Sequence, residues 1–297
     1  MSERLIRYKR ARKIGAAILW LGPAIALMLF VGIYPLFNAL ILSLHKWELG
    51  DPLPYGAFVG LLNYARVLSS NLFWHSVLTT LKFIVGALCL EMFFGLAIAL
   101  VFNRTVGGIG FFRPLLLLPM MIPPVVTGLV WRLIFNSQYG MLNYFLSLLR
   151  ITPKGWLADP VLAMASVIVA DVWQWTPFVV LICLSGLQTI PLEALEAARI
   201  DGANKSQELR YLVIPLLRNF LAVAFIFRAM DTIKMFDIIY IMTEGGPGTS
   251  TEVLSTYIYR VAFRNMHADQ AAAMSYITLL LLSVFAMLFI RQWRNAR

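Results

Sequence analysis

Charged residues recur inside the long apolar stretches of this chain, where each of them would be costly to bury. Arg228, Asp231, Lys234 and Asp237 all fall in the segment FRAMDTIKMFDIIY. Their spacing of three residues and their alternating sign would let neighbours pair on one face of a helix. The pattern predicts either a self-neutralised ladder near the end of a helix or the polar wall of a solute chamber. The other charged residues in apolar stretches are Lys82, Glu91, Arg132 and Asp171.

An aromatic and amide cluster lies in the segment ADVWQWTPF, where Trp173 and Trp175 flank Gln174. Tryptophan collects at membrane interfaces, which is one explanation of this cluster. An aromatic face beside an amide donor also suits a sugar ring, which it can stack on and hydrogen-bond. Both interpretations stay open at the level of sequence.

The residues that usually carry covalent or metal chemistry are few. The three histidines, His45, His75 and His267, lie in or near predicted loops, and both cysteines, Cys89 and Cys183, lie in apolar stretches. They form no metal-ligand or disulfide pattern. The chain also lacks a Walker-type glycine loop, so we do not expect it to bind nucleotide itself. A membrane-embedded enzyme is therefore the weakest of the functions that we considered.

The composition is that of a membrane protein. The chain has 297 residues, of which 60% are hydrophobic and 13% charged, whereas soluble domains carry roughly 25% charged residues. The apolar residues fall in stretches long enough to cross a bilayer. The net charge of +10 could indicate nucleic acid, but the basic residues cluster at the ends of the apolar stretches. We predict an all-α polytopic membrane protein that binds no nucleic acid.

We predict six transmembrane helices and a cytoplasmic basic tail at residues 1–13. The tail and the following apolar stretch resemble a signal peptide, but the stretch is far longer than the hydrophobic region of one, so we expect a retained first span. The predicted spans are about 14–44, 75–102, 113–135, 161–187, 212–241 and 269–290.

The distribution of Lys and Arg predicts the orientation. Of the 25 basic residues, fourteen fall on the side of the two termini, six on the other side and five within spans, counted from the printed sequence. The positive-inside rule then puts both termini, and the loop 188–211, in the cytoplasm.

The third predicted span contains Pro114, Pro119, Pro123 and Pro124 in the segment RPLLLLPMMIPPVV. Each inner proline removes a backbone donor and clashes with the preceding turn. Such breaks persist at membrane depth only where protein or a water-filled cavity satisfies the freed carbonyls. We expect either a broken helix that lines a pathway or a kinked packing helix.

The loop 188–211 contains a short helix of its own. Pro191 suits a first turn, the helix is predicted from about Leu192 to Asp201, and Gly202 is a natural stop. Asn204 and Gln207 have the spacing of a capping box, which predicts a second helix after the break.

The faces of this short helix differ. One face is a stripe of small residues with a carboxylate after it, and the other faces are charged. A small stripe allows another surface to approach the backbone closely, so the helix suits docking to a partner; the alternative is a helix lying on lipid headgroups. The stripe is Ala194, Ala197 and Ala198, followed by Asp201, and the charged positions are Glu193, Glu196 and Arg199.

This segment resembles a known motif. Glu196-Ala197-Ala198, three residues, Gly202, nine residues and then Leu212-Val213-Ile214-Pro215 resembles the EAA loop of ABC importer permeases. The segments PMMIPPVVTGLVWRLIFN and FDIIYIMTEGGPGTSTEVLSTYIYRVAF are similar to carbohydrate-uptake permeases of the maltose type. The resemblance runs from about Gly15 to the end of the chain.

The resemblance implies a type I ABC importer permease, with residues 14–297 as its six-span permease domain and 188–211 as its cytoplasmic coupling loop. It implies a second, homologous permease subunit, two ATPase subunits and an extracytoplasmic solute-binding protein, in the inner membrane of a prokaryote. No cofactor is implied for this chain, since ATP and Mg would be bound by the ATPase subunits. The chain would transmit work and catalyse no reaction.

The resemblance also implies roles for residues. The coupling residues would be Glu193, Ala194, Glu196, Ala197, Ala198, Asp201 and Gly202. The solute contacts carried over by alignment are Trp175, Phe178, Arg228, Thr232 and Met235, to which we add Trp173, Gln174 and Asp231 on physical grounds.

The solute itself stays open. Arg228 could suit an anionic sugar or glycerol derivative, or Asp231 could neutralise it and leave a neutral sugar or polyol as the cargo. An alternative of another class is an ion-coupled secondary transporter, whose relays would be Glu91, Asp171, Asp231 and Asp237. That alternative leaves the EAA segment unexplained, and the inverted repeats typical of such transporters are not evident.

Overall fold

The computed structural model describes residues 20–52, 55–103 and 109–295, without the side chains of 109–113, 288–290 and 292–295. The predicted basic tail and residues 14–19 of the first predicted span lie outside the described residues. Over these ranges the chain is helical and forms no strand beyond a single bridge between His45 and Phe58. The expected all-α class is confirmed.

The helices are named here in chain order, with π-helical turns inside α1 and α9 counted as part of them. They are α1 Trp20–Ser43, α2 Leu62–Leu68, α3 Asn71–Phe102, α4 Ile109–Met121, α5 Pro124–Ile134, α6 Met141–Leu148, α7 Pro160–Leu187, α8 Leu192–Ile200, α9 Lys205–Thr232, α10 Asp237–Thr243, α11 Leu254–Tyr259 and α12 Ala268–Asn295.

Five of these helices are long and apolar enough to cross a membrane, and a bent pair of helices raises the number to as many as six within the described ranges. The longest, α3, has 32 residues, which corresponds to about 48 Å of helix at 1.5 Å per residue. The hydrocarbon core of a bilayer is about 30 Å thick, so such a helix can span it with turns to spare.

The bent pair is the proline-rich segment. Pro114–Met121 and Pro124–Ile134 meet at an angle of 97°, and the break falls at Ile122 and Pro123. Pro123 is extended, with a ψ of 138°, and Pro124 begins α5. A residue that precedes a proline disfavours the helical conformation. Pro123 precedes Pro124, and this explains why the break falls at Pro123. The structure therefore has the broken helix rather than the gentler kink.

The chain forms two compact units, of which the first comprises residues up to Ser70 together with Ile258–Leu280. Asn63 of α2 is fully buried in this unit. The Asn63 amide nitrogen donates to the backbone oxygens of Ser43 at 3.0 Å and His45 at 2.9 Å. These bonds satisfy carbonyls at the end of α1, where a helix leaves its last acceptors free.

The second unit comprises Asn71–Tyr257 and Leu281–Arg297. Here glycines let helices approach closely. An added Cβ at Gly95 of α3 would lie 2.4 Å from the Val179 side chain of α7, and one at Gly186 of α7 would lie 2.6 Å from Leu217 of α9. Small residues at such contacts are typical of helices packed inside membranes. They bring α3, α7 and α9 together, and these three helices carry the charged residues of the candidate site.

Candidate functional site

Arg228 is the centre of a buried ion-pair cluster that joins three helices. Its Nε and Nη2 donate to the two carboxylate oxygens of Glu91, each at 2.7 Å. Nη2 also donates to Asp171 Oδ2 at 3.0 Å, and Nη1 donates to Asp231 Oδ2 at 2.9 Å. The cluster thus links α9, which carries Arg228 and Asp231, to α3 through Glu91 and to α7 through Asp171.

Burial makes this cluster energetically demanding. The side chains of Arg228, Glu91 and Asp171 are 2%, 0% and 0% exposed. Removing charges from water is compensated only where the geometry is good and the remaining donors are bonded. The bidentate contact with Glu91 has that geometry, and the Trp175 ring adds a cation–π contact, with its centroid 4.8 Å from the guanidinium carbon.

The predicted pairing is only partly right. The sequence predicts an alternating ladder from Arg228 to Asp237 on one face of a single helix. In the structure α9 ends at Thr232 and α10 begins at Asp237, so only the Arg228–Asp231 step of the ladder forms as an ion pair. The principal partners of Arg228 come from other helices, which local spacing could not indicate.

The predicted solute residues divide into two groups by exposure. Trp173 is 39% exposed and the Asp231 side chain is 46% exposed, while Trp175 and Phe178 are half-buried. The buried members are Gln174, Arg228, Thr232 and Met235. Roles in solute binding remain predictions for both groups.

Two of the buried members are bonded to backbone. The Thr232 hydroxyl donates to the Arg228 carbonyl at 2.6 Å, within one turn of α9. The Gln174 amide nitrogen donates to the Ile122 carbonyl at 2.7 Å, at the break between α4 and α5. Gln174 therefore satisfies a carbonyl that the broken helix leaves free, as is needed at membrane depth.

Phe227 contacts Phe178 and is not among the residues predicted from the sequence. It is 62% exposed, and its ring meets that of Phe178 with centroids 6.4 Å apart. Its position four residues before Asp231 places it on the same face of α9, and that spacing is the signal that could have indicated it. Trp173, in contrast, packs its ring on Trp131 of α5.

The predicted coupling segment forms as expected. α8 runs from Leu192 to Ile200 after Pro191 and ends at Asp201. Gly202 has a φ of +83°, which a residue with a Cβ adopts only with strain. Asn204 and Gln207 form both hydrogen bonds of the capping box. Local sequence rules thus account for the helix, its stop and the start of α9.

No residue of Leu192–Ile200, all of them described, is buried. The apolar ends are open to solvent, since Leu192 is 62% and Ile200 85% exposed. Arg199 bonds to Glu208 of α9, with its Nη2 3.2 Å from Oε1, and this hydrogen bond raises the pKa of Arg199. The contact holds α8 against the first turns of α9.

A surface depression of about 340 Å³ lies beside the stop of α8. Three predicted coupling residues, Ala198, Asp201 and Gly202, line it together with Tyr211 and others. The remaining coupling residues lie on the same helix, and all of them are partly or fully exposed. They are Glu193, Ala194, Glu196 and Ala197.

The chain is similar to transport proteins over nearly its whole length. It is 36% identical to the trehalose/maltose transport system permease protein MalF of Thermococcus litoralis, over 98% of this chain and 97% of the relative. It is 35% identical to the sulfoquinovosyl glycerol transport system permease protein SmoG of Agrobacterium fabrum, over 91% and 89% of the two chains.

The fold has a solved counterpart. A chain in the crystal structure of a bacterial alginate ABC transporter, in complex with an alginate pentasaccharide-bound periplasmic protein, matches with a TM-score of 0.85 and 19% identity, covering 97% of each chain. At that identity the likeness establishes the fold. Residues 91–296 match the model of a protein family. On these matches, the chain belongs to the family of binding-protein-dependent transport system inner membrane components.

Proposed function

We propose that this chain is the sugar-conducting permease subunit of an ATP-driven importer, and that α8 is the element through which ATP hydrolysis acts on it. The chain would pair with a second, homologous permease. Two ATPase subunits would bind at the cytoplasmic side, where both termini and α8 lie, and a solute-binding protein would deliver the sugar from outside. ATP and Mg would be bound by the ATPase subunits.

The exposure of α8 carries this proposal. A helix of nine residues is too short to be stable alone in water, and none of its described residues is buried by its own chain. Its open apolar ends and its stripe of small residues would be covered if it seated in a cleft of another protein. An ATPase subunit is the partner that accounts for both the exposure and the stripe.

The interfacial alternative is weaker on composition. Helices that lie on headgroups use a polar face rich in Lys and Arg, with bulky aromatic anchors opposite. The segment LEALEAARI has one basic residue, Arg199, and no aromatic residue. Arg199 is moreover bonded to Glu208. The faces of α8 therefore suit a protein cleft better than a lipid surface.

The sugar assignment is supported by relatives and by the surface beside Asp231. One relative is named for trehalose and maltose transport and another for sulfoquinovosyl glycerol transport. Aromatic rings at Phe178 and Phe227 beside the Asp231 carboxylate suit a sugar, which has an apolar ring face and hydroxyl donors. The proposed solute region also includes buried residues, which would support the exposed ones. Its further members are Trp173, Gln174, Trp175, Thr232, Arg228 and Met235.

The experiment compares two added tryptophans in the complex assembled with its ATPase. Ala197→Trp puts a bulky ring on the exposed small stripe of α8, and we expect solute-stimulated ATP hydrolysis and uptake to fall at least tenfold, since a narrow cleft would no longer close on the helix. Ser206→Trp, at an exposed position of the same loop, is the matched control and should retain most of the activity.

Two results would contradict the proposal. One is normal stimulated hydrolysis in Ala197→Trp while the ATPase copurifies as before. The other is uptake of solute by the purified chain alone, driven by an ion gradient, which would support an ion-coupled secondary transporter instead.

A further inference from the structure

The guanidinium of Arg228 is already occupied by its own chain. Four of its five N–H donors bond to Glu91, Asp171 and Asp231, and the Trp175 ring lies over the group. Its side chain is 2% exposed. An anionic solute would therefore have to displace a carboxylate that is already bonded to this cation.

The net charge of the cluster also disfavours an anionic solute. One guanidinium meets the carboxylates of Glu91, Asp171 and Asp231, so the formal sum is negative when all are ionised and stays negative when one of them carries a proton. Lys234 is exposed and follows the end of α9, three residues after Asp231, as far along the chain as Arg228 is before it. The surface offered by the cluster itself is an anion, because Asp231 is its exposed member.

The neighbours of Asp231 suit a neutral ring. Phe227 is 62% exposed and meets Phe178 at 6.4 Å. One Asp231 oxygen is bonded to Arg228, which holds the carboxylate in place. A fixed carboxylate can accept hydrogen bonds from two vicinal hydroxyls, while an aromatic face covers the C–H face of the ring.

We infer that this chain selects neutral polyhydroxylated solutes, such as unmodified saccharides, over anionic ones, with Asp231 as the specificity-determining acceptor and Arg228 as its positioning residue. The inference rests on the proposed function and narrows its solute class. From the sequence alone, Arg228 is equally compatible with a carrier of sulfonated or uronate sugars. The bonded state of Arg228 in the structure favours a neutral solute instead.

The test uses the complete importer in proteoliposomes, with its partner permease, ATPase subunits and solute-binding protein. Maltose and trehalose are the neutral probes, and sulfoquinovosyl glycerol and an alginate oligosaccharide are the anionic probes. We expect uptake and stimulated ATP hydrolysis with a neutral probe at least tenfold above those with either anionic probe.

Variants of this chain then test whether the selection between neutral and anionic solutes depends on this chain or on the solute-binding protein. Asp231→Asn keeps the shape of the side chain but weakens it as an acceptor, and we expect the KM for the neutral probe to rise about tenfold, the loss of one charge-assisted hydrogen bond, with kcat changed less. Asp237→Asn makes the same substitution on α10 and should leave both constants unchanged, as should Lys234→Gln. Copurification of all subunits establishes that each variant assembles.

The possible outcomes distinguish a failure of this inference from a failure of the proposed function. Faster uptake of an anionic probe, or an unchanged KM in Asp231→Asn, would overturn the inference and leave the proposed sugar importer standing. Stimulation by no probe of either charge would contradict the proposed function itself, and the inference with it.

Discussion

Arg228 and Glu91 are almost completely buried and bonded to each other within one chain, whereas no residue of α8 is fully buried, and Leu195 is its one described residue packed against a hydrophobic core cluster. Both regions are rich in charge and both join membrane-spanning helices. In the first, the guanidinium on α9 is bonded to carboxylates on α3 and α7. In the second, the charged residues Glu193, Glu196 and Arg199 are exposed. The charges buried between helices therefore hold this chain together, while those of α8 lie at its surface.

This comparison predicts that damage to the two regions will have different consequences. Loss of a cluster residue should destabilise the chain, because a buried charge would be left without its partner. Loss of a contact in α8 should change coupling and leave the unfolding temperature nearly unchanged, because exposed interactions contribute little to stability.

The largest effect is expected from Arg228→Met. Glu91 and Asp171 would remain buried without a counter-charge, and we expect the free energy of unfolding to fall by roughly 3–5 kcal/mol. Thermal unfolding of the detergent-solubilised complex measures it. Arg218→Met, at an exposed position of the same helix, is the control and should change the unfolding temperature little. Equal effects of the two variants would mean that the cluster contributes no special stability.

The next effect is expected from Gln174→Leu, which removes the donor that satisfies the Ile122 carbonyl at the break in the third span. An unsatisfied buried acceptor costs about 1–3 kcal/mol, so the unfolding temperature should fall by less than in Arg228→Met. Hydrogen exchange at the start of α5 should also increase. Gln188→Leu, at the exposed end of α7, serves as the control, and equal exchange in both variants would refute the assignment.

A smaller effect is expected from Asn204→Ala, which removes the capping box at the start of α9. Loss of such a cap costs about 1 kcal/mol, and here it would fray the turn that holds α8. We expect faster hydrogen exchange at Lys205–Gln207 and more ATP hydrolysed per solute imported. Asn219→Ala, exposed in the middle of α9, is the control and should alter neither quantity. An unchanged ratio of ATP hydrolysed to solute imported in Asn204→Ala would show that the cap is not needed for coupling through α8.

The smallest effect on stability is expected from Arg199→Gln. Its ion pair with Glu208 is 59% exposed on the arginine side, so the unfolding temperature should not change measurably. The angle between α8 and α9 should become less defined, and the number of solute molecules imported per ATP should fall. A marked drop in unfolding temperature would show that α8 contributes to the core, contrary to the comparison above.

Much of the fold could be predicted, because the signals are local. Long apolar stretches predict spans by length alone, and paired prolines at Pro123 and Pro124 predict the break in the third one. Gly202 and the Asn204–Gln207 pair predict where α8 stops and α9 starts. Each of these rules depends on residues that are consecutive or nearly so along the chain, so no knowledge of the tertiary structure is needed to apply them.

The candidate site was predicted less completely. Arg228 and Asp231 were paired correctly because they are three residues apart, but Lys234 and Asp237 were added to their ladder since nothing in the sequence marked the end of α9 at Thr232. Glu91 was recognised as a carboxylate that is costly to bury in a membrane, but its pairing with Arg228 was not predicted. The bond from the Gln174 amide nitrogen to the Ile122 carbonyl was not predicted, and a contact of Gln174 with the solute stays a prediction.

Hydropathy and helix capping act over neighbouring residues, so the order of amino acids is enough to predict a helical membrane protein with a short helix between two apolar helices. The pairing of the buried charges cannot be predicted in this way, because it depends on how the helices pack. Arg228 and Glu91 are 137 positions apart, and they meet because close packing at Gly95 and Gly186 brings α3, α7 and α9 together. A buried charge takes its partner from whichever helix packs against it, and periodicity along one helix does not contain that information.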